Sequence, residues 1–169
     1  MKRWFQTLGG YCTEWCRAFS AEFFSRSNGE FSPEVVPRSR SVKKQNRAKD
    51  QLGVRGEKLA SDRLRQAGYK ILERNIILDG CEIDLIAEDT GTTVFVEVKT
   101  RSGLRFGDPA DAVDDQRRRR MIRASRAWRR WRRDWESPIR FDIVAILWPD
   151  GEEPEYCHLI GVFDERFFS

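Results

Sequence analysis

Two carboxylates and a lysine whose spacing would bring them together lie in one stretch of the chain, Gly80–Arg101, reading GCEIDLIAEDTGTTVFVEVKTR. Its alternation predicts a β-hairpin. Cys81, Ile83, Leu85 and Ala87 are expected on one face of the first arm, with Glu82, Asp84 and Ile86 on the other. In the second arm Val94, Val96 and Val98 alternate with Phe95, Glu97 and Lys99. Asp89-Thr90-Gly91-Thr92 reads as the turn, with Gly91 free to take a positive φ. If Glu88 pairs with Thr93, Asp84 falls opposite Glu97 and Glu82 opposite Lys99. Opposed Cβ atoms would then be roughly 4.5–5.5 Å apart.

Carboxylates that close repel one another unless something positive stands between them. A divalent cation is one remedy and Lys99 another. Hard oxygen ligands suit Mg²⁺ or Mn²⁺, and a cation so held can orient water and stabilise charge on a phosphate. The same charges would also fit the solvated face of an ordinary hairpin. The strongly apolar residues around them argue instead for a sheet covered on more than one side.

Elements on either side must position this stretch. A helix is expected from about Val54 to Ala67, with Gly56, Ala60, Leu64 and Ala67 as a small stripe for packing on a sheet and Gly68 as its C′ residue. Glu57 lies one position off that stripe; on sequence alone it is a first-turn acid that favours the helix dipole. Tyr69–Ile77 reads as a strand leading into the hairpin. Beyond it, Ser102–Pro109 is a turn-rich loop expected to cover the site. A long helix is expected from about Asp114 to Trp135, with Met121, Ala124, Ser125, Trp128 and Trp135 as its apolar stripe. Ten arginines fall within the seventeen residues from Arg117 to Arg133, with no acid among them, which marks a surface for a polyanion. Arg101, Arg117, Arg118, Arg120 and Arg123 are the expected nucleic-acid contacts, made to backbone and shape rather than to bases. Ile139–Trp148 and Tyr156–Phe163 read as closing strands. Arg140 and Asp142 suggest a cross-strand ion pair in the sheet, and His158 reads as a structural strand residue.

These pieces in combination carry a resemblance. Gly56-Glu57, Gly68-Tyr69, Glu82-Ile83-Asp84-Leu85-Ile86, Phe95-Val96-Glu97-Val98-Lys99-Thr100-Arg101 and Arg140-Phe141-Asp142 resemble the YraN-like group of uncharacterised bacterial proteins. An Asp on one strand followed by Glu-x-Lys on the next looks like the PD-(D/E)xK nuclease signature. The resemblance runs from about Gly53 to Phe163. It implies an α/β fold of restriction-endonuclease-like type, a mixed central sheet flanked by helices, as in archaeal Holliday junction resolvases. It also implies a catalytic set of Glu57, Asp84, Glu97 and Lys99, with Asp84, Glu97 and Glu57 as ligands of Mg²⁺ or Mn²⁺. Two positions depart from the family pattern: Cys81 stands where Gly is usual, and Arg117 where Lys is usual. Neither removes a metal-ligand candidate.

Composition sets the outer bounds. The chain has 169 residues, 40% hydrophobic and 34% charged, with a net charge of +4. That suffices for one core-forming domain and an extension. Four cysteines and one histidine show no zinc spacing and read as free thiols of a cytoplasmic protein. No run approaches the ~18 apolar residues of a membrane span. Residues 1–51 are read as an N-terminal helical or disordered extension: Phe5, Leu8, Cys12, Trp15, Phe19 and Phe23 recur at helical spacing, and Ser27–Gln51 has the composition of a basic linker. Residues 52–169 are the endonuclease-like domain. Two functional classes follow. One is a metal-dependent nuclease hydrolysing phosphodiester bonds, with branched DNA among its substrates, DNA ahead of RNA, and a homodimer if junctions are cut. The other is a non-catalytic nucleic-acid-binding protein on the same fold.

Overall fold

The computed structural model describes residues 41–103, 114–163 and 165, with side chains from Gln51 onward. The aromatic segment at 1–26 and most of the loop expected to cover the site lie outside the described residues. Helix α1 spans Ser41–Gln66, β1 Lys70–Leu78, β2 Cys81–Asp89, β3 Thr92–Arg101, α2 Asp115–Arg132, β4 Ile139–Leu147 and β5 Glu155–Phe163. The strands form one five-stranded sheet in the order β1-β2-β3-β4-β5. Only β3 and β4 run parallel, joined through α2; the other neighbours are antiparallel. This is the expected α/β fold, a mixed sheet between two helices.

Helix α1 begins thirteen residues before the expected Val54, inside what composition marked as linker. Between Ser41 and Leu52 the chain has no glycine or proline, and Lys, Gln, Arg and Ala propagate a helix without needing a buried face. Further along, α1 packs through Ala60 and Leu64 onto Leu85, Ala87, Val94, Val96, Val144 and Ile146. Gly56 lets it come closest: a Cβ there would lie 1.7 Å from Thr100 Oγ1 and 2.8 Å from Thr100 Cβ.

The opposite face of the sheet carries α2. Met121, Ile122, Ala124 and Trp128 join Phe95, Phe141, Ile143 and Ala145 in a second core. Asp114 caps this helix, accepting from Arg117 N–H at 2.6 Å. Arg133, left-handed with φ 54°, ends it. The apolar stripe is therefore shorter than expected: Trp135 falls beyond the helix and is exposed, and Ile122 takes a place in the core that the spacing had not assigned.

Both hairpin turns are two-residue turns with consecutive positive φ, at Asp79-Gly80 and at Thr90-Gly91. Such turns match the right-handed twist of the strands they join. The β2–β3 register is the expected one, with Glu88 opposite Thr93. The simple alternation of β2 does not hold along its length. Cys81 and Ile83 pack on the α2 side, Leu85 and Ala87 on the α1 side. The change of face falls at Asp84. On β1, Asn75 lies between the pairs Arg74–Leu85 and Ile76–Ile83 and has φ 48°. A left-handed residue turns the strand, and Asn tolerates that conformation better than most.

Candidate active site

Asp84 and Glu97 meet where β2 and β3 separate. The antiparallel ladder between them ends at Leu85–Val96. Past that point β2 stays with β1, pairing Glu82 to Ile77, and β3 stays with β4, pairing Lys99 to Ala145. Asp84 and Glu97 are thus not a ladder pair. The main-chain group left without a strand partner is met by a side chain: Val98 N–H donates to Asp84 Oδ2 at 2.7 Å. The expected neighbour relation of Glu82 and Lys99 is also lost, because Glu82 follows β2 to the β1 side and is exposed.

Glu97 is buried, its side chain 3% exposed, and two cations hold it. Lys99 Nζ lies 2.6 Å from Oε1. Arg117, from the first turn of α2, donates through Nε and Nη2 to Oε2. The same guanidinium reaches the Glu82 carbonyl at 2.8 Å and Cys81 Sγ at 3.5 Å. Arg117 therefore closes the gap between the separating strands. Burial alone would weaken its charge, but the bonds to Glu97 outweigh that and hold its pKa above the ordinary value.

Asp84 is less well compensated. Burial, and then the Glu97 charge, push its carboxyl up to about 7 against the contrary pull of Val98 N–H, Arg117 and Lys99. This carboxylate has one good donor and a like-charged neighbour in a site that excludes much of the water. Burial likewise pushes the Cys81 thiol up.

Glu57 is placed by Gly56. The close approach of α1 to Thr100 sets the next residue at the edge of the sheet, and Asn75 Nδ2 donates to Glu57 Oε2 at 3.0 Å. Since Asn75 stands across from Asp84 on β1, this bond ties the helix to the strand pair at the level of the site. Among the described residues no group of three or more His, Cys, Asp or Glu side chains is gathered to hold a metal ion. The donors that do converge are two carboxylates. That set fits a small hard cation, because Mg²⁺ takes one or two carboxylates and keeps water in its other positions.

The other arginines divide. Arg118 lies near Asp115 at 3.3 Å and Arg123 near Asp79 at 3.5 Å. Arg120 buries its Nε. Arg101 is half-buried at the end of β3, where its carbonyl accepts from Trp148 N–H at 2.6 Å. Sequence reasoning gave Arg117 to nucleic acid, and the fold gives its guanidinium to Glu97. It also overlooked Asn75, although an Asn within a β-branched and apolar run is a signal for irregular backbone.

Below the other face lies a second polar cluster. Asp142 is fully buried and accepts from Arg140 at 2.9 and 3.0 Å, from Gly161 N–H at 2.8 Å, and faces His158 Nε2 at 2.9 Å. Arg140 goes on to Asp89 and to the Tyr69 hydroxyl, each at 2.9 Å. The expected cross-strand Arg140–Asp142 ion pair runs instead along one strand, β4, and the cross-strand partner of Arg140 is Asp89. His158 is structural, as expected, and serves this cluster. Among the described residues no helix is long and apolar enough to cross a membrane, and the Cys81 thiol is buried.

The comparisons with known proteins cover the same elements. The model of the Uncharacterised protein family UPF0102 matches residues 56–146, from the glycine that admits α1 to the end of β4. The UPF0102 protein of Nocardia farcinica is 46% identical over 115 residues, which is 68% of this chain and 91% of that protein. The one from Renibacterium salmoninarum is 43% identical over 69% of this chain and 98% of its own length. A third, from Trichlorobacter lovleyi, is 40% identical over 67% of this chain and 90% of its own length. A match on this scale, carried through both site strands, means that the chain belongs to the Uncharacterised protein family UPF0102.

Proposed function

We propose that the protein is a metal-dependent nuclease that hydrolyses phosphodiester bonds of nucleic acid at Asp84, Glu97 and Lys99. One observation carries the reading: two carboxylates are brought together at a strand divergence, one of them under-compensated, beside a lysine and below an arginine-rich helix. A cation would offset their repulsion and draw a proton from Asp84. Bound Mg²⁺ or Mn²⁺ would supply stabilisation of charge on the phosphate and an activated water. Asp84 and Glu97 would hold it, with Glu57 reaching the same edge through Asn75. Lys99, one residue removed from Glu97 on β3, would pass from the carboxylate to a phosphate oxygen. The exposed arginines of α2 would attract and retain the backbone. The resemblance to PD-(D/E)xK nucleases and to Holliday junction resolvases supports DNA, branched DNA included, as the substrate. It also supports a homodimer for cutting two strands. A buried Cys81 thiol suits a reducing cytoplasm.

A specific observation favours a second reading, a binding protein without catalysis. Both oxygens of Glu97 already have cationic partners, Lys99 and Arg117, so the site is closed without metal. The deciding experiment is a panel of labelled branched, duplex and single-stranded substrates, incubated with Mg²⁺ or Mn²⁺. Cleavage by the wild type that Asp84→Asn and Glu97→Gln abolish, with binding retained, supports the nuclease. Tight binding with no cleavage of any substrate by the wild type supports the binding protein.

A further inference from the structure

The two ends of α2 differ in what they present. At the first turn, Arg117 is drawn inward to Glu97. At the last turn, large apolar surface is turned outward. Trp131 is 59% exposed and Trp135 60% exposed. Two exposed indoles four residues apart mark a candidate interaction surface.

Trp131 is held through its ring, Trp135 through the backbone around it. Trp131 leans on Trp128, ring centres 5.2 Å apart at 56°, and Trp128 is in the core. Trp135 sits in a turn pinned by Asp134, which accepts from Glu136 N–H at 3.3 Å, Ser137 N–H at 3.1 Å and the Ser137 hydroxyl at 2.5 Å. Arg130, Arg132 and Arg133 flank the two tryptophans in sequence, and with Arg126 they are all exposed. Arg132 lies 5.7 Å from the Trp128 ring centre. Among the described residues Arg126, Arg130 and Arg133 make no ion pair.

Flat π-faces among guanidinium groups match a ligand that has flat π-faces joined by phosphates. We propose that Trp131 and Trp135, with Arg130 and Arg133, form a stacking platform for unpaired bases of single-stranded nucleic acid. The proposal rests on the nucleic-acid reading and narrows its substrate to structures with an unpaired strand, such as forks and flaps. A duplex would not use the indoles, because its bases are already stacked. A bilayer is the poorer match: the remaining apolar residues of α2, Met121, Ile122, Ala124 and Trp128, are buried in the core, so no continuous apolar face is left to insert. Trp131 lies fourteen residues along α2 from Arg117, about 21 Å at 1.5 Å per residue. Along a duplex arm that is roughly six base pairs at 3.4 Å each, which places the unpaired bases away from the carboxylates rather than over them.

The test uses the full chain and fluorescence anisotropy with an oligo-dT strand, a blunt duplex and a forked duplex at one salt concentration. Trp131→Ala and Trp135→Ala should each weaken oligo-dT and fork binding by about fivefold or more, the size of one lost base stack. Blunt-duplex binding and melting temperature should stay at the wild-type level. Trp131→Phe should keep most of the affinity and Trp131→Leu should not, because leucine replaces the apolar area but not the π-face. A 2-aminopurine in the single strand should be quenched by the wild type and not by the double alanine variant. Equal losses on duplex and single strand, unchanged oligo-dT binding in both alanine variants, or full affinity in Trp131→Leu would each overturn the platform. So would variants that lose binding to phosphatidylserine vesicles while keeping oligo-dT. A wild type that binds duplex but not oligo-dT sinks the platform alone; one that binds no nucleic acid at all sinks the nucleic-acid reading as well.

Discussion

Asp84 and Asp142 are both acids on inner strands with an arginine in reach, and the fold treats them in opposite ways. Asp142 is the more deeply buried, yet its pKa is lowered. Burial acts to raise it, but His158 and the paired Arg140 more than offset that. Gly161 N–H adds a further donor. Asp84 keeps some exposure, yet burial and Glu97 raise its pKa to about 7. The difference is the number of donors aimed at each carboxylate, not the depth of burial. A saturated acid is cement for the sheet; an unsaturated acid beside another acid is poised to take a cation or a proton. The contrast also separates the two arginines. Arg140 is locked among Asp89, Asp142 and Tyr69, whereas Arg117 holds a carboxylate that a metal would compete for.

This contrast implies a ranked set of outcomes. The largest is catalytic. Asp84→Asn or Glu97→Gln should lower metal-dependent cleavage by at least about 10²-fold, as expected when a metal site loses an anionic ligand. Asp142→Asn should leave the metal requirement intact. Cleavage that survives in Asp84→Asn at the wild-type rate would place the chemistry elsewhere.

Next in size is stability. Asp142→Ala takes a buried acceptor from Arg140, His158 and Gly161 N–H, leaving Arg140 with Asp89 as its acid partner, and should cost about 3–5 kcal/mol in urea unfolding. Asp84→Asn, which keeps an acceptor for Val98 N–H and removes a repulsive charge, should instead stabilise the metal-free protein at pH 8. An equal loss in both variants would erase the distinction between them.

The pH response has a definite sign. A carboxyl with a higher pKa folded than unfolded binds its proton more tightly in the native state. Its contribution is full below about pH 4 and is lost as pH rises through about 7. In EDTA, wild-type stability should therefore decline between pH 5 and pH 8 relative to Asp84→Asn, by on the order of 2–3 kcal/mol. Mg²⁺ should restore part of it in the wild type only. Identical pH profiles for the two proteins would contradict the shifted Asp84.

The smallest expected effect is at the helix contact. Gly56→Ala gains about 1 kcal/mol of helix propensity but forces a Cβ into Thr100, costing about 1–3 kcal/mol. The net should be a small loss in melting temperature with a shifted Glu57, seen as a change in apparent metal affinity. A stabilised variant with unchanged metal affinity would show that the close approach of α1 plays no part in placing Glu57.

The sequence by itself determined the hairpin, its turn and the register of its turn-proximal half, from Leu85–Val96 to Asp89–Thr92, because period-2 alternation and a glycine that can take positive φ are local properties. It determined the two-helix-on-sheet plan and the apolar stripe of α2 apart from Ile122 and Trp135, and it singled out Asp84, Glu97 and Lys99 as candidates, since residue types at those spacings are visible without coordinates. Only the tertiary structure decided what these side chains do to each other. The strands part after Leu85 and Val96 because β2 follows β1 through the left-handed Asn75 while β3 follows β4, and that choice sums contacts across the whole sheet. Arg117 belongs to Glu97 and Arg129 to Glu165, while Arg126, Arg130 and Arg133 are exposed, because the helix lies over the sheet at one height and one rotation. A run of ten arginines carries no mark of which one faces inward. Gly56 is an ordinary helix glycine in the sequence; Thr100, forty-four residues away, is what makes it necessary.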